Sequence, residues 1–115
     1  MQQEIEALLS RSAAAWSAGD LDAFMECYED SPDTVYLSAT RLVSGYAAIR
    51  AMYAERFGES MGSLKIKVLQ IKPIGDSHAL VVGSYALGEH SGLCSLILRA
   101  TGRGWRISAD HTWSN

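Results

Sequence analysis

The feature that most constrains this chain is a change of texture at Ser63. Before it, apolar residues recur at helical spacing; after it, they alternate in four runs separated by turn formers. The runs are Leu64 to Lys72, His78 to Leu87, Leu93 to Thr101 and Trp105 to Trp113. Between them lie Pro73-Ile74-Gly75-Asp76-Ser77, Gly88-Glu89-His90-Ser91-Gly92 and Gly102-Arg103-Gly104, each rich in residues that turn the backbone. Helices first and an antiparallel meander last define an α+β fold.

The first half resolves into three helices and one short strand. Ile5, Leu8, Leu9, Ser12 and Trp16 form one stripe of a first helix that stops at Gly19. Asp20 is a suitable N-cap for a second helix with Leu21, Phe24, Met25 and Tyr28 on its inner face. Asp30-Ser31-Pro32 ends that helix, and Thr34 to Ser38 reads as a strand. Ser44-Gly45 opens a third helix carrying Tyr46, Ile49, Tyr53 and Phe57, which Gly58 closes. The expected order is α-α-β-α-β-β-β-β, with the three helices packed in the concavity of a strongly curved antiparallel sheet. A chain of 115 residues suits one domain over 1–115.

Charge and cysteine content narrow the class. The net charge is −3 and the basic residues are scattered, so no cationic face for nucleic acid is expected. No apolar run is long enough to cross a membrane. Cys27 and Cys94 lie in apolar patterns far apart, as buried free thiols do in a reducing compartment. The opening residues MQQEIEALLS are acidic rather than basic, unlike a signal peptide, so a cytoplasmic location is expected. His78, His90 and His111 lack close ligand spacing, so neither a metal site nor a cofactor is expected.

The last hairpin can be registered from sequence. A two-residue turn at Gly102-Arg103 sets Ala100 against Trp105, Leu98 against Ile107, Leu96 against Ala109 and Cys94 against His111. That register puts His111 on the inner, mostly apolar face and Asp110 on the outer one with Arg99 and Arg106. An inward imidazole titrates near neutrality and suits a general base or ligand partner, and equally a structural histidine under the helices. Tyr36 is its candidate catalytic companion. Trp16, Tyr28, Tyr53, Cys94, Leu96 and Trp113 are the candidate ligand contacts, with packing of the cone as the competing role for the aromatic residues. Arg99 and Arg106 face each other as like charges, which a partner subunit offering Asp110 or Glu89 would relieve.

The strings "WSAGDLDAFMECY", "VSGYAAIRAMYAERF" and "GRGWRISADHTWS", in this order and spacing, resemble the SnoaL-like branch of the nuclear transport factor 2-like superfamily. The association domain of calcium/calmodulin-dependent protein kinase II looks like a relative, with a similar Trp-to-His stretch at its end. The resemblance implies a cone-shaped cystatin-like fold, a pocket at its wide end and homodimerisation, here through the outer sheet face. Ketosteroid isomerase-like members carry an acidic base on the first strand, where this chain has Val35, Tyr36 and Leu37. They also carry a tyrosine where Ser12 falls and a buried carboxylic acid near Leu96. With all three groups replaced, the isomerase mechanism does not carry over. Three functions remain open: binding of a small apolar or aromatic molecule, a dimeric interaction module without catalysis, and an acid–base enzyme of isomerase or dehydratase type using His111.

Overall fold

In the computed structural model, which describes residues 1–58 and 62–112, helix α1 (Gln2–Ala18) buries the stripe read from sequence together with Ala15. It ends at Gly19, whose φ of 73° lets its N–H bond back to the Trp16 carbonyl at 3.0 Å. The Asp20 carboxylate then accepts from the Ala23 N–H at 3.1 Å and starts the five-residue helix α2 (Leu21–Met25). Strand β1 (Val35–Leu37) and strand β2 (Leu42–Ser44) form a small hairpin that leads into α3 (Tyr46–Phe57). The meander follows as β3 (Leu64–Ile74), β4 (His78–Leu87), β5 (His90–Thr101) and β6 (Gly104–Thr112).

The six strands lie in the order β2-β1-β6-β5-β4-β3. The expected element order therefore gains one strand, β2. Its three residues are too few to show a period of two, and it pairs with β1 alone, with Leu42 exposed. The sheet is also not wholly antiparallel, because β1 runs parallel to β6. Pro73 lies inside β3 rather than in the turn after it, paired with Ala79 on the sheet's edge. The helices cover one face, with α1 against β3 and β6 and α3 against β1 and β2.

Two irregularities shape the sheet. One separates Val68 from Gln70 on β3; the other inserts Ser108 into β6, so that Leu98 pairs with Ile107 but Ile97 pairs with Ala109. One extra residue on one strand bends it and shifts the face of everything beyond. The first half of the expected hairpin register, Ala100 with Trp105 and Leu98 with Ile107, therefore matches the structure. The second half does not. Leu96 pairs with Asp110, Ser95 with His111 and Cys94 with Thr112.

The core that results contains Ile5, Leu8, Met25, Ile49 and Leu98, all at most 1% exposed. Trp16 joins the helices by edge-on contacts to Phe24, Phe57 and Tyr53 at 5.3, 4.6 and 5.8 Å between ring centres. Arg99 and Arg106 do face each other across β5 and β6. Their repulsion is relieved within the chain, since Arg99 pairs with Glu29 and the Arg106 guanidinium donates to the Trp105 carbonyl at 2.7 Å. That ion pair holds the Glu29 carboxyl below its usual range. No partner carboxylate is needed for it. Among the described residues, no helix is long and apolar enough to cross a membrane.

Candidate functional site

A cavity of about 610 Å³ opens between the helices and the inner sheet face. One row of that face crosses the sheet as Ile71, Val81, Leu96, Asp110, Tyr36 and Val43, each the register partner of the next. Asp110 is the only charged member, and it is 6% exposed. The Ser108 bulge puts it there. Without the extra residue, alternation would send Asp110 to the outer face and His111 inward.

Three hydroxyls converge on this carboxylate. The Tyr28 hydroxyl donates to Oδ2 at 2.5 Å, and the Thr112 hydroxyl donates to Oδ1 at 2.6 Å. Tyr53 stands 3.0 Å from the Tyr28 oxygen and 3.4 Å from Oδ2. Because Tyr28 commits its proton to the carboxylate, the single Tyr53 proton is shared between the Tyr28 oxygen and Oδ2. Tyr28 reaches the site through an unusual route. The backbone after α2 runs alongside β6, with the Glu29 N–H bonded to the Ile107 carbonyl and the Ile107 N–H to the Cys27 carbonyl, both at 2.8 Å.

Burial dominates the electrostatics. It raises the Asp110 carboxyl above its ordinary range, and the hydrogen bonds from Thr112, Tyr28 and Tyr53, with the charge of Arg56, offset only part of that rise. Burial, followed by the Asp110 charge, pushes both Tyr28 and Tyr53 well above a normal phenol, so both stay neutral and remain donors. Cys94, also on the cavity wall, is pushed up to about 11 by burial and stays a neutral thiol. A carboxyl kept protonated by an apolar setting can donate a hydrogen bond to a ligand oxygen; an ionised one can accept a proton.

Trp16, Tyr28, Tyr36, Tyr53, Cys94 and Leu96 all line the cavity, as does Ser12, whose hydroxyl donates to the Leu9 carbonyl at 2.8 Å. His111 does not line it. Its register places it beside Leu37 and Ser95, on the face opposite Asp110. Trp113 lies outside the described residues. Sequence reasoning turned His111 inward where the structure turns Asp110 inward, because the alternation around them contains no mark of the inserted Ser108.

Arg56 of α3 completes the wall. Its guanidinium carbon lies 5.4 Å from the centre of the Tyr36 ring and 5.6 Å from that of Tyr53. Arg41 and Thr40, in the turn between β1 and β2, line the rim, where both are exposed.

A family model described as a SnoaL-like domain matches residues 9–114. The chain belongs to this SnoaL-like family. Its fold is shared by a nuclear transport factor 2-like protein of unknown function from Shewanella oneidensis MR-1. That protein is 29% identical, with a TM-score of 0.91 over 97% of this chain and 98% of the other. A Thiobacillus denitrificans protein named for the calcium/calmodulin-dependent protein kinase type II association domain is 20% identical. Its TM-score is 0.83, over 96% and 94% of the two chains. A ketosteroid isomerase-like protein from Erwinia carotovora atroseptica is 19% identical, with a TM-score of 0.79 over 96% and 92%. No curated protein matches. In this SnoaL-like chain Asp110 is the direct register partner of Leu96 on the neighbouring strand. An acid therefore stands in the same part of the cavity, supplied from β6.

Proposed function

We propose that this SnoaL-like chain binds a small apolar or aromatic molecule in the cone cavity and hydrogen-bonds its polar group through Asp110. The observation that carries this reading is the Asp110 carboxyl, buried in a mostly apolar wall and held between the hydroxyls of Tyr28 and Thr112. Such pockets take their affinity from apolar surface and their orientation from a few placed polar groups. The first strand carries Val35, Tyr36 and Leu37 where an isomerase would need its base, so the site favours binding and polarisation over isomerase-type proton transfer. If a reaction occurs here, Asp110 and not His111 is the residue that faces the ligand.

A thermal-shift screen against neutral aromatic and steroid-like ketones and amides, together with small aromatic carboxylates, tests the reading. At least one compound is expected to raise the melting temperature of the wild type, with the shift largely lost in Asp110→Asn. If no compound shifts the wild type, the cavity is packing space and the reading fails.

We further propose that two copies pair through the outer sheet face. Leu80, Ile97, Ala109 and Val35 form a continuous apolar row across four strands on that face, each only half-buried. A charge in the middle of this row, Ile97→Arg, is expected to halve the mass measured by light scattering. A wild type that runs as a monomer at micromolar concentration would end this proposal.

A further inference from the structure

The cavity holds a cation that the binding reading leaves unused. Arg56 is half-buried, sits over the rings of Tyr36 and Tyr53, and lines the same cavity as Asp110. Among the described residues, the side-chain ion pairs are Arg50 with Asp22 and Arg99 with Glu29, and no carboxylate is paired with Arg56. The half-buried guanidinium is held by the phenols of Tyr36 and Tyr53 and feels the Asp110 charge, so it stays charged, and its five donors leave some to spare for an incoming anion. The other titratable groups on the wall do little to fill that role. Glu55 and His90 are both exposed, and Asp110 is engaged by its own three hydroxyls.

Geometry also limits the ligand's length. Tyr53 touches both ends of the site: its ring lies under Arg56, and its hydroxyl is 3.4 Å from Asp110. Cation and acid are thus separated by roughly one aromatic ring plus one hydrogen bond. The cavity's apolar lining includes Trp16, Phe24, Met52 and Leu96.

We propose that the ligand is a small aromatic or apolar carboxylic acid whose carboxylate is held by Arg56, with its body along the apolar wall and its far end at Asp110. This inference deepens the binding reading above and rests on it. Arg56 sets the ligand's charge class; Asp110 addresses whatever polar group lies at the other end. Planar, forked donors such as guanidinium favour carboxylates over single-point anions.

The test compares phenylacetate, phenylpropanoate and naphthoate with their neutral primary amides by titration calorimetry. On the wild type, the acids are expected to bind at least about tenfold more tightly than the amides, as the gain of a charge-assisted hydrogen bond implies. Arg56→Gln should remove most of that preference while leaving amide affinity within about twofold, and Arg56→Lys should restore part of it. Amides that match their acids on the wild type would overturn the inference and leave the binding reading standing. So would an Arg56→Gln variant that weakens both classes alike. Failure of every acid and every amide to bind would overturn both. The wild-type comparison needs no variant, so a loss of folding in Arg56→Gln does not remove the test.

Discussion

Trp16→Ala is expected to cost the fold about 3–5 kcal/mol, the range for removing a large buried aromatic side chain. Trp16 is 8% exposed and makes edge-on contacts with three aromatic residues from two other helices, at 4.6 to 5.8 Å. It is the point where α1, α2 and α3 meet, so its loss both opens a void and removes the aromatic pairs. Since it also borders the existing cavity, the void merges with open space and the surrounding helices gain little by collapsing onto it. In a domain of this size, with total stability of about 5–15 kcal/mol, such a loss is a large fraction of the whole. It corresponds to a fall in melting temperature on the order of 10–20 °C. Chemical denaturation of the purified variant measures it directly. A loss below about 1 kcal/mol would mean that Trp16 serves the pocket and not the fold.

The second large effect is a change in how stability depends on pH. The Asp110 carboxyl is raised above its ordinary range in the folded chain, chiefly by burial. A raised carboxyl means that the fold holds the proton more tightly than the unfolded chain does. The associated stability is complete below the unfolded value, about pH 4, and is lost as pH rises through the folded-state pKa. Asp110→Asn has no such proton to lose. Relative to wild type, the variant should therefore gain stability as pH rises from about 4, by about 1.4 kcal/mol for each unit of upward displacement, and then level off. Glu29, held low by Arg99, works in the opposite sense, losing its contribution as pH falls, but it is common to both proteins and cancels in the difference. Melting curves of the two proteins from pH 4 to 8 decide the matter. Two parallel curves over that range would show that the carboxyl is not perturbed by its burial. The amide also serves as a control on the hydrogen bonds, because its oxygen can still accept from Tyr28 while its net charge stays at zero.

The two predictions share a lesson about what local pattern can convey. Ile5, Leu8, Leu9, Ser12 and Trp16 bury together because a helix with 3.6 residues per turn leaves no other arrangement for them. Gly19 and Asp20 punctuate that helix by backbone chemistry that acts within a few residues. The four strand runs and their turns are legible for the same reason, since alternation and turn chemistry are local. Tyr53 falls on the inner face of α3 by the same helical spacing, and it lines the cavity.

Other features depended on residues far apart in the chain. Strand β2 exists only because β1 offers it an edge; Leu42-Val43-Ser44 has too little period of its own. The parallel pairing of β1 with β6 joins segments more than sixty residues apart, and no local pattern encodes it. Glu29 meets Arg99 because the chain after α2 runs alongside β6, so the like charges at Arg99 and Arg106 needed no second subunit.

The sequence by itself determined the α+β class, the helical stripe, the turns and the family. Each of these follows from spacing and residue type within a short window, or from motif order along the chain. Tertiary structure alone decided which side chain of Asp110-His111 enters the cavity. A strand has a period of two, so the single inserted residue at Ser108 reverses the face of every residue after it. The bulge lies between the backbone bridge of Ile107 to Tyr28 on one side and the pairing of Ala109 with Val35 and Ile97 on the other, all contacts with distant parts of the chain. That one-residue shift puts a carboxyl, and not an imidazole, among the tyrosines.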